Sequence, residues 1–87
     1  MPNLDGASIF IAGGTGSFGK AFVKFVLARY DPARLVVFSR DELKQYEMQR
    51  DPEIADRKCM RFFIGDVRDA RSVASAMRGV DYVFHAA

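Results

Sequence analysis

The stretch "AGGTGSFGK" at residues 12–20 sets Gly13, Gly16 and Gly19 three apart, between an apolar run and a segment of helical spacing. Glycine in such a place serves a phosphate-bearing ligand. Gly13, directly after the apolar run, allows a sharp turn. Gly16, at the head of the helix, leaves bare backbone where a Cβ would keep a pyrophosphate away. Gly19 lets the helix pack closely on the strand. The free N–H groups and positive dipole of the helix N-terminus then face the phosphates. Thr15, Ser17 and Phe18 supply loop amides, and Thr15 and Ser17 add hydroxyls. The spacing is G-x-x-G-x-x-G rather than G-x-G-x-x-G, and glycines alone are a weak signal. The setting strengthens it: a strand before, a helix after, and a second strand about twenty residues on. A nucleoside-triphosphate P-loop is excluded, because Ala21 follows Lys20 where that motif needs Ser or Thr. The competing reading is a glycine turn selected for packing only.

A second cluster ends the next apolar run, "RLVVFS". An NAD site usually carries Asp or Glu at that point, accepting from the ribose 2′-hydroxyl. Here the run ends in Ser39-Arg40. A hydroxyl and a guanidinium suit a 2′-phosphate, which a carboxylate would repel. Lys44, one helical turn past Arg40, adds positive charge. Asp41 opposes it but can cap the following helix. NADP is therefore the expected dinucleotide, with a solvated surface arginine as the bland alternative for Arg40. A third cluster is Asp66-Val67, at the end of another apolar run, where the carboxylate and backbone are placed for an adenine amino group. Capping of the next helix by Asp66 or Asp69 is the structural alternative. The closing "HAA" has small side chains that leave room for a ribose. His85 has no acid or nucleophile partner, so a packed, satisfied strand histidine is expected.

These residues must be held by regular elements. "ASIFIAG" is a nearly continuous apolar run bounded by Asp5-Gly6 and the glycine loop, as in a strand buried on both faces. From Phe18, the positions Phe18, Phe22, Phe25, Val26 and Tyr30 form a helical stripe that ends at "YDP". "RLVVFS" is a second strand, residues 34–39. Ser39 with Glu42 fits a capping box, or Asp41 caps instead, and the helix runs to Gln49 or Arg50 before Pro52. "DPEIADRK" is polar and reads as a loop. Residues 60–65 form a third strand. Asp69 then caps a helix carrying Val73, Ala76 and Met77, with Gly79 at C′. "VDYVFHAA" is a fourth strand. The order βαβαβαβ specifies an α/β fold: the N-terminal half of a Rossmann-type doubly wound parallel sheet, with residues 1–87 as one part of a cofactor-binding domain.

Composition narrows the function. Thirteen basic and eleven acidic residues leave a net charge of +2, unclustered, which argues against nucleic acid. The single cysteine, Cys59, excludes an internal disulfide and a multi-cysteine metal site, and reads as a small loop or core residue. No apolar run reaches membrane-spanning length and the N-terminus has no signal-peptide pattern, so a cytoplasmic location is expected. The chain stops within a strand-like run, as a fragment of a longer protein would.

The motifs together resemble the extended short-chain dehydrogenase/reductases, through the glycine loop, "GDVRD" and "HAA". "GGTGSFGK", "FSRDELKQYEM", "MRFFIGDVRD" and "AMRGVDYVFHAA" look more specifically like inverting UDP-N-acetylglucosamine 4,6-dehydratases and their polysaccharide-biosynthesis relatives. "SRDELKQ" is the distinguishing element, and the resemblance covers essentially the whole chain. Ala12 departs from the Thr that many relatives carry, without disturbing the loop. The resemblance implies NADP held by Thr15, Gly16, Ser17 and Phe18, by Ser39, Arg40, Asp41, Glu42, Leu43 and Lys44, by Asp66 and Val67, and by Ala86. It also implies a UDP-sugar substrate, a homo-oligomer, and no membrane partner. In that family, hydride leaves sugar C4, water is eliminated across C5–C6, and hydride returns to C6 with inversion at C5. The product feeds surface-polysaccharide or flagellin-glycan synthesis. The superfamily's base, a Tyr in Tyr-x-x-x-Lys, has no counterpart: Tyr30, Tyr46 and Tyr82 are followed four later by Arg34, Arg50 and Ala86. These residues are thus expected to hold cofactor without any catalytic residue or metal ligand. A sugar epimerase of the same superfamily and a non-catalytic dinucleotide-binding module remain alternatives.

Overall fold

Seven elements alternate along the chain: β1 (Ser8–Ala12), α1 (Ser17–Arg29), β2 (Arg34–Ser39), α2 (Glu42–Gln49), β3 (Met60–Ile64), α3 (Ala70–Ala76) and β4 (Tyr82–His85). The computed structural model describes residues 2–86; Ala87, the last residue of "HAA", lies outside the described residues. All strand pairs are parallel, in the order β3-β2-β1-β4. The chain steps outward from β1 to β2 to β3, then crosses back to place β4 on the far side of β1. The expected half of a doubly wound Rossmann-type sheet is therefore present.

Period-two alternation in β1 and β2 builds two cores. On one face, Ile9, Ile11, Leu35 and Val37 pack with Val23, Val26 and Leu27 of α1, Met48 of α2, and Ile54. On the other, Phe10, Ala12, Val36 and Phe38 pack with Ala76, Val73 and Met77 near α3. Two helices thus cover one face and the third covers the opposite face, the layout that right-handed crossovers produce.

Four sequence expectations change. The buried stripe of α1 is Gly19, Val23, Val26 and Leu27, whereas Phe18 and Phe25 are exposed. Close packing of Gly19 turns that face inward and leaves the phenylalanines at its margin, where Phe18 stacks on Phe22 and Arg29 lies over the Phe25 ring. Second, burial on both faces holds for β1 and β2 but not for the outer strands, where Ile64 and Val83 are exposed. Third, the polar loop after α2 carries a core residue: Ile54 is 1 % exposed and packs in the first core. At α3, Asp69 is the N-cap as expected, but Met77 is the C-cap, which puts Gly79, at φ 75°, two residues beyond it rather than at C′.

Candidate functional site

Parallel strands bring their carboxyl ends to one edge, and backbone hydrogen bonds carry the alignment into the loops. The Gly13 amide donates to Phe38 O at 2.9 Å, the Gly65 amide to Ser39 O at 2.9 Å, and the Ala86 amide to Ala12 O at 2.8 Å. Residues far apart in sequence consequently meet on one rim. A cleft of about 420 Å³ there is lined by Ala12, Gly13, Ser39, Arg40, Asp66 and Val67, among others. It continues through Ser39 and Arg40 into a groove that also touches Thr15, Asp41, Glu42 and Lys44. Thr15 and Lys44 join that groove to a third hollow bearing Gly16, Ser17 and Lys20. The result is a crescent from Val67 to Ser17 around the strand reversal between β1 and β4, where open α/β sheets bind ligands.

The glycines have separable tasks. Gly13 has φ 72°, the left-handed region that favours glycine, and makes the turn. A Cβ on Gly19 would stand 2.5 Å from Gly14 Cα and 2.6 Å from its carbonyl carbon, so Gly19 packs on the loop rather than on the strand itself. Gly14 in turn sits on the sheet: its Cβ would come within 3.0 Å of Val37 and 3.2 Å of Ile11. The three-residue spacing conceals Gly14, although the adjacent Gly13-Gly14 pair was a visible signal. Gly16 differs from the others. Its φ of −73° suits any residue, and its Cβ would meet only Gly13 O, at 3.8 Å. The fold makes no demand for glycine there, while bare backbone opens to the hollow.

The N-terminus of α1 is open to an anion. Its N-cap, Gly16, has no side chain, and no acidic residue lies in the first turn. The first intrahelical bond is Lys20 N to Gly16 O at 2.9 Å, leaving the amides of Ser17, Phe18 and Gly19 ahead of the helical ladder. Lys20 lines the same hollow and lies 3.7 Å from Asp51.

At the end of β2, Arg40 is 70 % exposed and 3.6 Å from the Asp66 carboxylate. Asp41 caps α2, accepting from the Lys44 amide at 2.9 Å, so its charge is committed to the helix. Ser39, one of the two capping candidates, lies instead within β2. Its hydroxyl accepts from Gln45, which also donates to Phe63 O. Asp66 is bound by Arg68 at 2.7 Å, and its carboxylate also receives the Arg68 amide at 2.9 Å. Those bonds from Arg68, helped by the charge of Arg40, hold the Asp66 carboxyl well below the ordinary carboxylate range. Asp66 thus stays anionic, and Asp69 rather than Asp66 caps α3.

Some expected residues stand apart. Leu43 and Phe18 are both 66 % exposed and line none of these hollows. Ala86 packs against the first core. His85 is exposed and lines the cleft, against the expectation of a packed histidine, because β4 is an outer strand. Sequence reasoning missed Lys20, Gln45 and Arg68. For Gln45 the signal was its position three residues before buried Met48 on the inward face of α2.

Fold and rim together define a Rossmann-type α/β unit. A short-chain dehydrogenase/reductase from Veillonella parvula shares the fold at TM-score 0.73 and 20 % identity, over 91 % of this chain and 34 % of that one. The chain belongs to the polysaccharide biosynthesis protein family, whose model matches residues 9–87. It is 53 % identical over 84 residues to UDP-N-acetylglucosamine 4,6-dehydratase (inverting) of Campylobacter jejuni, covering 97 % of this chain and 24 % of that protein. It is 47 % identical over 87 residues to UDP-glucose 4-epimerase of Rickettsia akari, covering 92 % of this chain and 24 % of that protein. The solved structure of Pen from Bacillus thuringiensis matches at TM-score 0.88 and 39 % identity, over 100 % of this chain and 26 % of that one. The chain spans about a quarter of the length of these curated relatives. The resemblance read from "SRDELKQ" and its neighbours is therefore correct. Among the described residues, no helix is long and apolar enough to cross a membrane.

Proposed function

We propose that this chain is the NADP-binding portion of a nucleotide-sugar 4,6-dehydratase acting on a UDP-N-acetylhexosamine in surface-polysaccharide synthesis. The observation that carries the cofactor reading is Gly16. The fold itself has room for a Cβ there, and the bare backbone faces a hollow that Ser17, the first residue of α1, also lines. A pyrophosphate fits that cradle. Ser39 and Arg40 then meet the adenosine ribose, with Arg40 and Lys44 supplying charge for a 2′-phosphate. Asp66 and Val67 border the adenine end. When bound, the nicotinamide supplies reversible hydride transfer. This chain's own residues bind and orient it, and the acid–base groups belong to sequence outside these residues.

The similarity to the Campylobacter dehydratase favours that reaction class. The similarity to a Rickettsia UDP-glucose 4-epimerase supports a second reading, epimerisation on the same cofactor. Incubating the full-length protein with UDP-N-acetylglucosamine and determining product mass distinguishes the two: the dehydratase product is lighter by one water, and the epimerase product has unchanged mass. Calorimetric titration of the same protein with NADPH and NADH tests the cofactor. Tighter binding of NADPH is expected, and Arg40→Ala lowers that preference. Equal affinities in the wild type would overturn the assignment of Arg40.

A further inference from the structure

Gln45 is a buried amide on the inner face of α2, 2 % exposed, and the dinucleotide reading gives it no task. Its Nε2 lies 2.7 Å from Phe63 O in β3 and 3.1 Å from Ser39 Oγ in β2. A backbone carbonyl can only accept, so the amide nitrogen must face Phe63, which fixes the orientation of the side chain on chemical grounds. The amide has two hydrogens, and each has one acceptor. Ser39 Oγ is therefore an acceptor toward Gln45, and its own proton is directed elsewhere. Among the described residues, Gln45 is the hydrogen-bond partner of this hydroxyl. The remaining open side is the rim, since Ser39 lines both the cleft and the groove beside Arg40.

We propose that Gln45 is a positioning residue that turns the Ser39 hydroxyl proton toward the rim and thereby favours a 2′-phosphate over a 2′-hydroxyl. This inference rests on the NADP reading above. An ionised phosphate offers acceptor oxygens, so a hydroxyl that already accepts from an amide on its inner side and turns its proton to the rim matches it. Donation from Gln45 also polarises the O–H and strengthens the bond it gives. A ribose 2′-hydroxyl can also accept that proton, but as a neutral acceptor it gains less than the anionic phosphate, whose bond is charge-assisted. Gln45 thus acts through Ser39, and it ties that hydroxyl to the end of β3, next to Gly65 and Asp66.

The test uses the full-length protein and two fragments of the cofactor, 2′,5′-ADP and 5′-ADP, titrated by calorimetry. Wild type is expected to prefer 2′,5′-ADP. Gln45→Met, similar in length but without donors, is expected to lose about tenfold of that preference, the scale of one charge-assisted hydrogen bond. Its affinity for 5′-ADP should be unchanged. Ser39→Ala should show a like loss, and adding Gln45→Met to Ser39→Ala should cost nothing further. If Gln45→Met fails to fold, Gln45→Glu serves as the second variant. As its carboxyl ionises it becomes an acceptor for the Ser39 proton, so the preference should fall with rising pH. A preference unchanged in Gln45→Met, an equal weakening of both ligands, or a pH-independent preference in Gln45→Glu would overturn the proposal while leaving NADP binding intact. Equal affinity of wild type for the two ligands would overturn the NADP reading, and this inference with it.

Discussion

Gly16→Ala and Gly19→Ala make a matched pair, the same methyl added three residues apart, and the structure assigns them opposite consequences. At Gly19 the new Cβ would stand 2.5 Å from Gly14 Cα, 2.6 Å from Gly14 C and 2.7 Å from Gly14 O. These are backbone atoms, and Gly14 lies so near the sheet that a Cβ on it would come within 3.0 Å of Val37 and 3.2 Å of Ile11. Either α1 or the loop must shift, at a cost of about 1–3 kcal/mol for overpacking of this kind. At Gly16 the added Cβ finds only an ordinary contact, 3.8 Å from Gly13 O, in a conformation open to any residue. Loss of stability there should stay within about 1 kcal/mol, the scale of a poorer N-cap. Dinucleotide affinity should instead fall by about tenfold or more, because the methyl holds the phosphate off the helix amides and a charge-assisted hydrogen bond is worth about 1.5–3 kcal/mol. The assay is urea unfolding of both variants without cofactor, together with NADPH titration of each. Gly19→Ala as stable as wild type would refute the packing argument. Gly16→Ala that binds NADPH with wild-type affinity would refute the assignment of this turn to a pyrophosphate.

Two further outcomes follow from the same geometry. Asp66 has a folded-state pKa below its ordinary 3.8, held down first by its hydrogen bonds to Arg68. Its contribution to stability is therefore complete above that value and is lost as pH falls through it toward the lower folded value. Urea midpoints of wild type and Asp66→Asn should accordingly differ most at about pH 6 and draw steadily together as pH falls below about 4; a constant difference would rule this out. Ile54→Ala, in the loop after α2, should lower the unfolding free energy by about 2–5 kcal/mol despite its loop position, because the side chain is buried in the first core. A change below about 1 kcal/mol, the range typical of surface sites, would show that the loop is not anchored there.

Much of the architecture was legible because it is local. Gly13 follows an apolar run and makes the turn, Asp41 and Asp69 precede their helices and cap them, and short apolar runs became parallel strands. Each of these depends on neighbours within a few residues, where backbone preference and side-chain reach are set by residue type. The stripe of α1 was read one step off. Phe18, Phe22 and Phe25 outweigh Gly19 and Val23 on a hydrophobicity scale, yet closeness of approach, which glycine permits, decided which face turned inward.

The site divides along the same line. Sequence alone determined that a glycine turn opens a helix after β1, that β2 ends in a hydroxyl and a guanidinium without a carboxylate, and that an acid ends β3. Tertiary structure decided which of these meet and in what state. Parallel register, a property of strands twenty or more residues apart, placed Gly13, Ser39, Asp66 and His85 on one rim. The pairing of Arg40 with Asp66, the packing of Gly19 on Gly14 and the hold of Gln45 on Ser39 and Phe63 all join separate elements. Spacing in a sequence fixes distance only within a turn of helix or strand; beyond that, distance is set by how the sheet stacks its strands. That is why the glycine turn could be read from nine residues, while the reason for each glycine, and the contact of Gln45 with the Ser39 hydroxyl, emerged only from the folded chain.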